Sequence, residues 1–265
     1  MTAALCAPLL AGCMSTAGTA SSSAPTVTRT VTVTRTVTPT STVHPSESSR
    51  APTTSSSAAP SSSAPSLSAP AKAVVTRTLA LLGTLPVKGR APKTGYDRRD
   101  KFGVSWTDDV TTQFGHNGCD TRNDILRRDL RDITLKPNTH GCVVLTGVLD
   151  DPYTRERISF HRGVGTSNAI QIDHVVALSD AWQKGAQQLS AERRQNLAND
   201  PRNLLAVSGR ANMQKQDGDA ATWLPKNKAF RCTYVSKQVA VKSAYHLWVT
   251  KAEKDAIDRV LSTCG

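Results

Sequence analysis

Aromatic residues make up only 5% of the 265-residue chain. So few rings argue against a binding surface built on successive ring stacking. Acidic residues are missing from the N-terminal third: Glu47 is the only one before Asp97. No stretch approaches 18 consecutive apolar residues, so no membrane-spanning helix is expected. The cysteines form no Cys-x-x-Cys pair, which argues against a zinc knuckle.

Residues 14–71 are almost entirely Ser, Thr, Ala, Pro and Val. They carry too little large apolar surface to offset the entropy of ordering, and they read as an extended linker. The Thr-Val-Thr-Arg-Thr-Val repeat inside them alternates like a strand, but its neighbours are Ser- and Pro-rich and offer it no partner. Residues 1–13 are short and apolar and end in Leu10-Ala11-Gly12-Cys13. That tetrapeptide resembles a bacterial lipobox, which makes Cys13 the lipidation site and the linker a stalk, although the segment lacks the usual positively charged start. The expected location is secreted or at the cell surface, lipid-anchored to the outer face of a bacterial membrane, with no other membrane contact.

About 190 residues remain from Lys72 onward, enough for one domain with its own core. The net charge is +12, and of the basic residues only Arg29, Arg35 and Arg50 precede Lys72, so the excess belongs to this domain. A positive excess favours a polyanion partner, nucleic acid before others, and no protein partner is expected. Cys119, Cys142, Cys232 and Cys264 fall in the domain, an even number in a chain expected to leave the cytoplasm. Of their three possible pairings, Cys119–Cys142 with Cys232–Cys264 is favoured because each closes a local unit, helix to strand and helix to helix.

The apolar spacing predicts helices over 73–85, from Asp120 or Thr121 to about Asp132, over 178–188, over 191–199 capped by Ser190, and from after Pro225 to about Tyr245. Thr250-x-x-Glu253 predicts a capping box for a last helix. Residues 89–102 read as a basic, turn-rich stretch, and Asp124–Arg128 as a helical i,i+4 ion pair. Cys142–Leu149 and Arg157–Phe160, around Asp150-Asp151-Pro152-Tyr153-Thr154, predict a β-hairpin extending the sheet of the strand described next.

That strand is Ile170-Gln171-Ile172-Asp173-His174-Val175-Val176, which sets an ionisable pair in a β-branched run. Burying such groups is costly unless they are paired or bind a metal. Downstream, Asp200-Pro201-Arg202-Asn203 and then Leu204 to Val207 read as turn and strand, and Ser208-Gly209-Arg210-Ala211-Asn212-Met213-Gln214-Lys215 as turn and helix.

This order of strand, strand and helix, with Asp-His, Asn, and Asn-x-x-Lys in place, resembles the His-Asn-His (HNH, ββα-metal) endonuclease core over residues 171–218. The wording Asp173-His174-Val175-Val176-Ala177-Leu178-Ser179-Asp180-Ala181-Trp182, Asn203-Leu204-Leu205-Ala206-Val207 and Asp217-Gly218-Asp219-Ala220-Ala221-Thr222-Trp223-Leu224-Pro225 is similar to that of secreted actinobacterial HNH proteins related to the C-terminal domain of GmrSD-type restriction enzymes. In that group the similarity extends upstream through Gly118-Cys119-Asp120-Thr121-Arg122-Asn123 and on to Cys264. The resemblance implies an α+β fold, with the ββα-metal core carrying an added hairpin and flanking helices, stabilised by disulfides.

It also implies roles. His174 is the general base, since neutral imidazole accepts a proton near pH 7. Asp173 and Asn212 offer hard oxygen ligands suited to Mg²⁺ or Mn²⁺. Asn203 holds the loop and the His174 backbone, while Lys215, one helical turn beyond Asn212, binds a phosphate or supports the metal. Arg122 and Arg210 are candidate substrate contacts, and Asp217 and Asp219 candidate outer ligands. DNA is the first expected substrate and RNA the second. Adjacent strand residues point to opposite faces, so Asp173 and His174 serve one site only if the strand ends or twists there. Two other classes stay open: a surface lipoprotein that binds nucleic acid without cutting it, and a metal hydrolase acting on another phosphodiester or a surface polymer.

Overall fold

The computed structural model describes residues 69–264; the expectations for Cys13 and for nearly all of the linker lie outside them. Helix α1 (Ala69–Thr84) starts three residues earlier than the linker reading allowed. It packs on α7 (Arg231–Ala244) and α8 (Lys251–Leu261), burying Leu82 and Leu85 with Val235, Val239, Ile257 and Leu261. No helix of the described residues is long and apolar enough to cross a membrane.

Within the basic stretch Asp97 accepts a hydrogen bond from the Asp100 amide and starts a short helix, α2 (Arg98–Phe102), that the sequence reading left as turns. Helix α3 (Thr121–Asp129) is capped by Asp120, which accepts from the Asn123 amide. It stops earlier than expected, because residues 131–135 form strand β1 (Arg131–Leu135) instead of a further helical turn. The hairpin strands follow as β2 (Val144–Asp150) and β3 (Arg157–His161), giving an antiparallel sheet in the order β1-β2-β3.

That sheet does not extend the Asp-His strand, contrary to expectation. Strand β4 (Ile170–His174) pairs only with β5 (Leu204–Ser208), in a separate antiparallel ribbon with Asp173 opposite Leu205 and His174 opposite Leu204. The ribbon is apolar on both faces because each is covered. Ile170, Ile172, Leu204 and Ala206 join the core under α3 and the three-stranded sheet, while Leu205 and Val207 join the core of Tyr153, Tyr234 and the C-terminal helices.

Between the ribbon strands run α4 (Leu178–Gln183), a 3₁₀ turn and α5 (Ala191–Asn199), the last capped by Ser190. Helix α6 (Gly209–Lys215) follows β5 directly. Its first residue has to be glycine on steric grounds, since a Cβ there would lie 2.0 Å from the Asn168 carbonyl oxygen. The disulfides join Cys119 to Cys142 and Cys232 to Cys264, tying α3 to the approach to β2 and α7 to the end of α8.

Candidate active site

Strand alternation sends Asp173 and His174 to opposite faces of the ribbon, but β4 ends at His174, so both still border one cleft. The cleft is about 220 Å³ and is lined by Asp173, His174, Asn212, Asp217, Ser179 and Arg98 among others. His174 Nε2 lies 2.8 Å from the Ala198 carbonyl oxygen, which can only accept, so the proton sits on Nε2. Nδ1 then carries the lone pair and has no hydrogen-bond partner among the described residues. Burial, reinforced by the Arg98 charge, pushes the imidazole pKa down to about 3. The ring is therefore a neutral acceptor at pH 7. Trp106 stacks on it with ring centroids 5.7 Å apart and planes 14° from parallel.

Asp173 faces the other way and is only 4% exposed. Its Oδ1 accepts from Lys215 Nζ at 2.9 Å and its Oδ2 from the Tyr153 hydroxyl at 2.5 Å. Burial pushes the carboxyl pKa up, while Lys215 and Tyr153 pull it back. Both partners donate, which selects the ionised carboxylate. Lys215 is itself buried and also donates to the His174 carbonyl oxygen at 2.8 Å. This corrects the expectation of a phosphate contact: the ammonium is spent inside, fixing Asp173 and the end of β4.

Asn203 is fully buried. Its Oδ1 accepts from the Val176 amide at 2.8 Å, and its Nδ2 donates to the carbonyl oxygens of Val176 and Leu197. It braces the segment just after His174 and does not reach the cleft. Asn212 lines the cleft; its Nδ2 donates to Gln171 Oε1 at 2.8 Å, and its Oδ1 has no hydrogen-bond partner among the described residues. The remaining candidates lie away from it. Arg122 sits over the Phe160 ring, and Arg210 is exposed on α6. Arg128 pairs with Asp129 and donates to the Pro201 and Leu204 carbonyl oxygens, so the Asp124–Arg128 pair does not form.

Asp217 lines the cleft but holds Ser179 and Lys93. Asp219 is no outer ligand, for it lies in a buried charge cluster with Lys184 and Arg90. Glu253, the expected capping-box partner, belongs to the same cluster through Lys184 and Lys242, leaving Thr250 alone to cap α8. Sequence reading missed Arg98, which lines the cleft, and Tyr153 and Trp106, which contact the Asp173 carboxylate and the His174 ring. None carries a local signal, since each reaches the site from an element remote in the chain.

Among the described residues no group of three or more His, Cys, Asp or Glu forms a metal cage. Asn212 Oδ1 and the spare lone pairs of Asp173 are hard oxygen donors of the kind Mg²⁺ or Mn²⁺ takes. Lys215 already neutralises Asp173, so this pair suits an ion that is completed by water and by a negatively charged ligand, and not one held by protein alone.

The disulfide-tied α+β domain thus brings a neutral histidine acceptor and oxygen donors to one cleft. Residues 120–260 match the family of GmrSD restriction endonucleases, C-terminal domain, and the chain belongs to that family. An uncharacterized secreted protein of Arthroderma benhamiae is 35% identical over 187 residues, spanning 70% of this chain and 83% of that protein. No solved structure matches. Membership places the domain with nuclease-like proteins and makes nucleic acid its substrate class.

Proposed function

We propose that the protein is an extracytoplasmic, metal-dependent HNH endonuclease that hydrolyses phosphodiester bonds with little sequence preference. The observation that carries this reading is the fixed tautomer of His174: Nε2–H is spent on the Ala198 carbonyl, leaving Nδ1 as acceptor at a cleft shared with Asn212 Oδ1. The order β4, β5, α6 with Asp-His, Asn203 and Asn212 supports the ββα-metal assignment.

In this reading a water in the cleft gives its proton to His174 Nδ1 as its oxygen attacks phosphorus, and the bond to the 3′-oxygen breaks. The leaving oxygen takes a proton from solvent. Lys215 holds the His174 carbonyl and Asn203 the Val176 amide two residues on, so the acceptor meets the water in one geometry. Asp173 and Asn212 would hold a divalent cation, which supplies positive charge to the phosphate and the leaving oxygen when bound. The secreted description of the Arthroderma relative supports an extracytoplasmic place; lipid attachment at Cys13 belongs to the same proposal.

The test is nicking of supercoiled plasmid by the purified chain with Mg²⁺ or Mn²⁺, with EDTA, and with His174→Ala in parallel. Metal-dependent nicking that disappears in His174→Ala is expected. Equal nicking by both preparations, or DNA binding with no cutting by folded protein, would overturn the reading, the second outcome in favour of a binding lipoprotein.

A further inference from the structure

Arg98 opens α2 and is exposed at the cleft that holds His174 and Asn212. Among the described residues its guanidinium makes no ion pair and no hydrogen bond. The other cations nearby are committed: Arg90 to Asp180 and Asp219, Lys93 to Asp217, and Lys215 to Asp173. Arg98 is not loose, however. Its Cζ lies 5.6 Å from the centre of the Trp106 ring, and the same ring stacks on His174. Guanidinium and imidazole thus both contact one indole ring.

Trp106 has φ of 62°, the left-handed region, where a bulky side chain is strained. Surroundings that hold it there also hold its contacts with Arg98 and His174. We propose that Arg98 is the cleft's phosphate-binding residue, gripping the non-bridging oxygens of a nucleic-acid phosphate, with Trp106 as the positioning residue that holds its guanidinium at the cleft. A planar fork suits two phosphate oxygens, and the lack of a carboxylate partner leaves its donors for substrate. This deepens the nuclease reading and rests on the same cleft, but it concerns binding and not cutting.

The test is therefore made without metal. Fluorescence anisotropy measures binding of the full chain to a short labelled DNA duplex in EDTA across a salt series, with single-stranded RNA of equal length as a second arm. Each phosphate contact on duplex DNA contributes about one unit to the slope of log affinity against log salt. Arg98→Ala is expected to weaken binding and lower that slope by about one, whereas Arg98→Lys keeps the slope and loses part of the affinity. Trp106→Leu is expected to weaken binding about two- to fivefold with the slope kept, and Trp106→Phe to restore it.

The RNA arm tells which backbone is taken: the slope loss appears in the arm whose phosphate Arg98 holds. An Arg98→Ala protein with unchanged slope in both arms, whatever its affinity, overturns the proposal, as does wild type that binds neither probe. Binding that meets these expectations in a protein that fails to nick plasmid sustains Arg98 and sinks only the hydrolytic reading.

Discussion

Asp173 and His174 are neighbours in the chain and opposites in environment. Asp173 turns into the aromatic core of Tyr153 and Tyr234, where an unpaired charge would be costly, and Lys215 is what makes it tolerable there. Truncating one partner of a buried pair strands the other, at a cost of about 3–5 kcal/mol. Lys215→Met should accordingly lower unfolding free energy by that amount in urea titrations followed by tryptophan fluorescence, and a loss under ~1 kcal/mol would mean Asp173 is not charged in the fold. Asn203 holds the other side of the site. Asn203→Ala leaves the Val176 amide buried without an acceptor, which should cost about 1–3 kcal/mol and abolish plasmid nicking while DNA binding persists. That Asp173, His174 and Asn212 come to one cleft, with Asn203 bracing the chain beside it, was legible in the sequence from the types and order of these residues. The partners Tyr153, Trp106 and Arg98 were not, because 20 to 76 residues separate them from the residues they serve and local pattern carries no trace of that.

Among the elements, the least expected structure is the charge cluster of Lys184, Lys242, Asp180, Asp219 and Glu253, fully or nearly fully buried between α4, α7, α8 and the turn after α6. Burial pushes the Asp219 carboxyl up, but Lys184 and Arg90 outweigh it and hold the pKa below the usual range. For Lys242 burial pushes down, and Asp180 with Glu253 outweighs it and raises the pKa. A depressed carboxylate contributes stability above its unfolded pKa and loses it as pH falls through the folded one; a raised lysine contributes below its unfolded pKa and loses it as pH rises through the folded one. The cluster's contribution should hold across neutral pH and fall away below about pH 4 and above about pH 10. Urea unfolding across pH should show the acid loss reduced in Asp219→Asn, and an unchanged acid limb in that variant would remove Asp219 from the account. The Cys232–Cys264 bridge clamps two helices of the same core over a separation of 32 residues, so replacing both cysteines with Ala should cost about 3–4 kcal/mol in the same assay. Caps and periodicity located α5 and α8 and the hairpin strands well. They missed β1 and α2: Ile133 continues the apolar spacing of α3 although the chain turns into a strand there, and Arg98-Arg99-Asp100-Lys101 has no apolar face to announce a helix. Thr250-x-x-Glu253 was legible as a cap, but local pattern could not reveal that two lysines from other helices claim the glutamate.

At the scale of the whole molecule the decisive quantity is charge. The net +12 falls almost wholly on residues from Lys72 onward, so the folded part approaches any polyanion down a favourable potential. With rings at 5% of the chain and most of those described packed against one another, the surface has few flat groups on which to read or stack bases. Binding built on phosphates is strong at low salt, weak at high salt and indifferent to sequence, because every step of a duplex presents the same oxygens. Two duplexes of equal length and unrelated sequence should therefore bind with affinities within about threefold of one another, and both should lose affinity steeply and in parallel as salt rises. Measured by competition in EDTA, a preference beyond about tenfold for one sequence would mean that base edges are read, since one good base contact is worth about that much. Weak salt dependence would mean that the positive excess serves something other than nucleic acid, and the candidate cleft would then have to be explained without a polyanionic substrate.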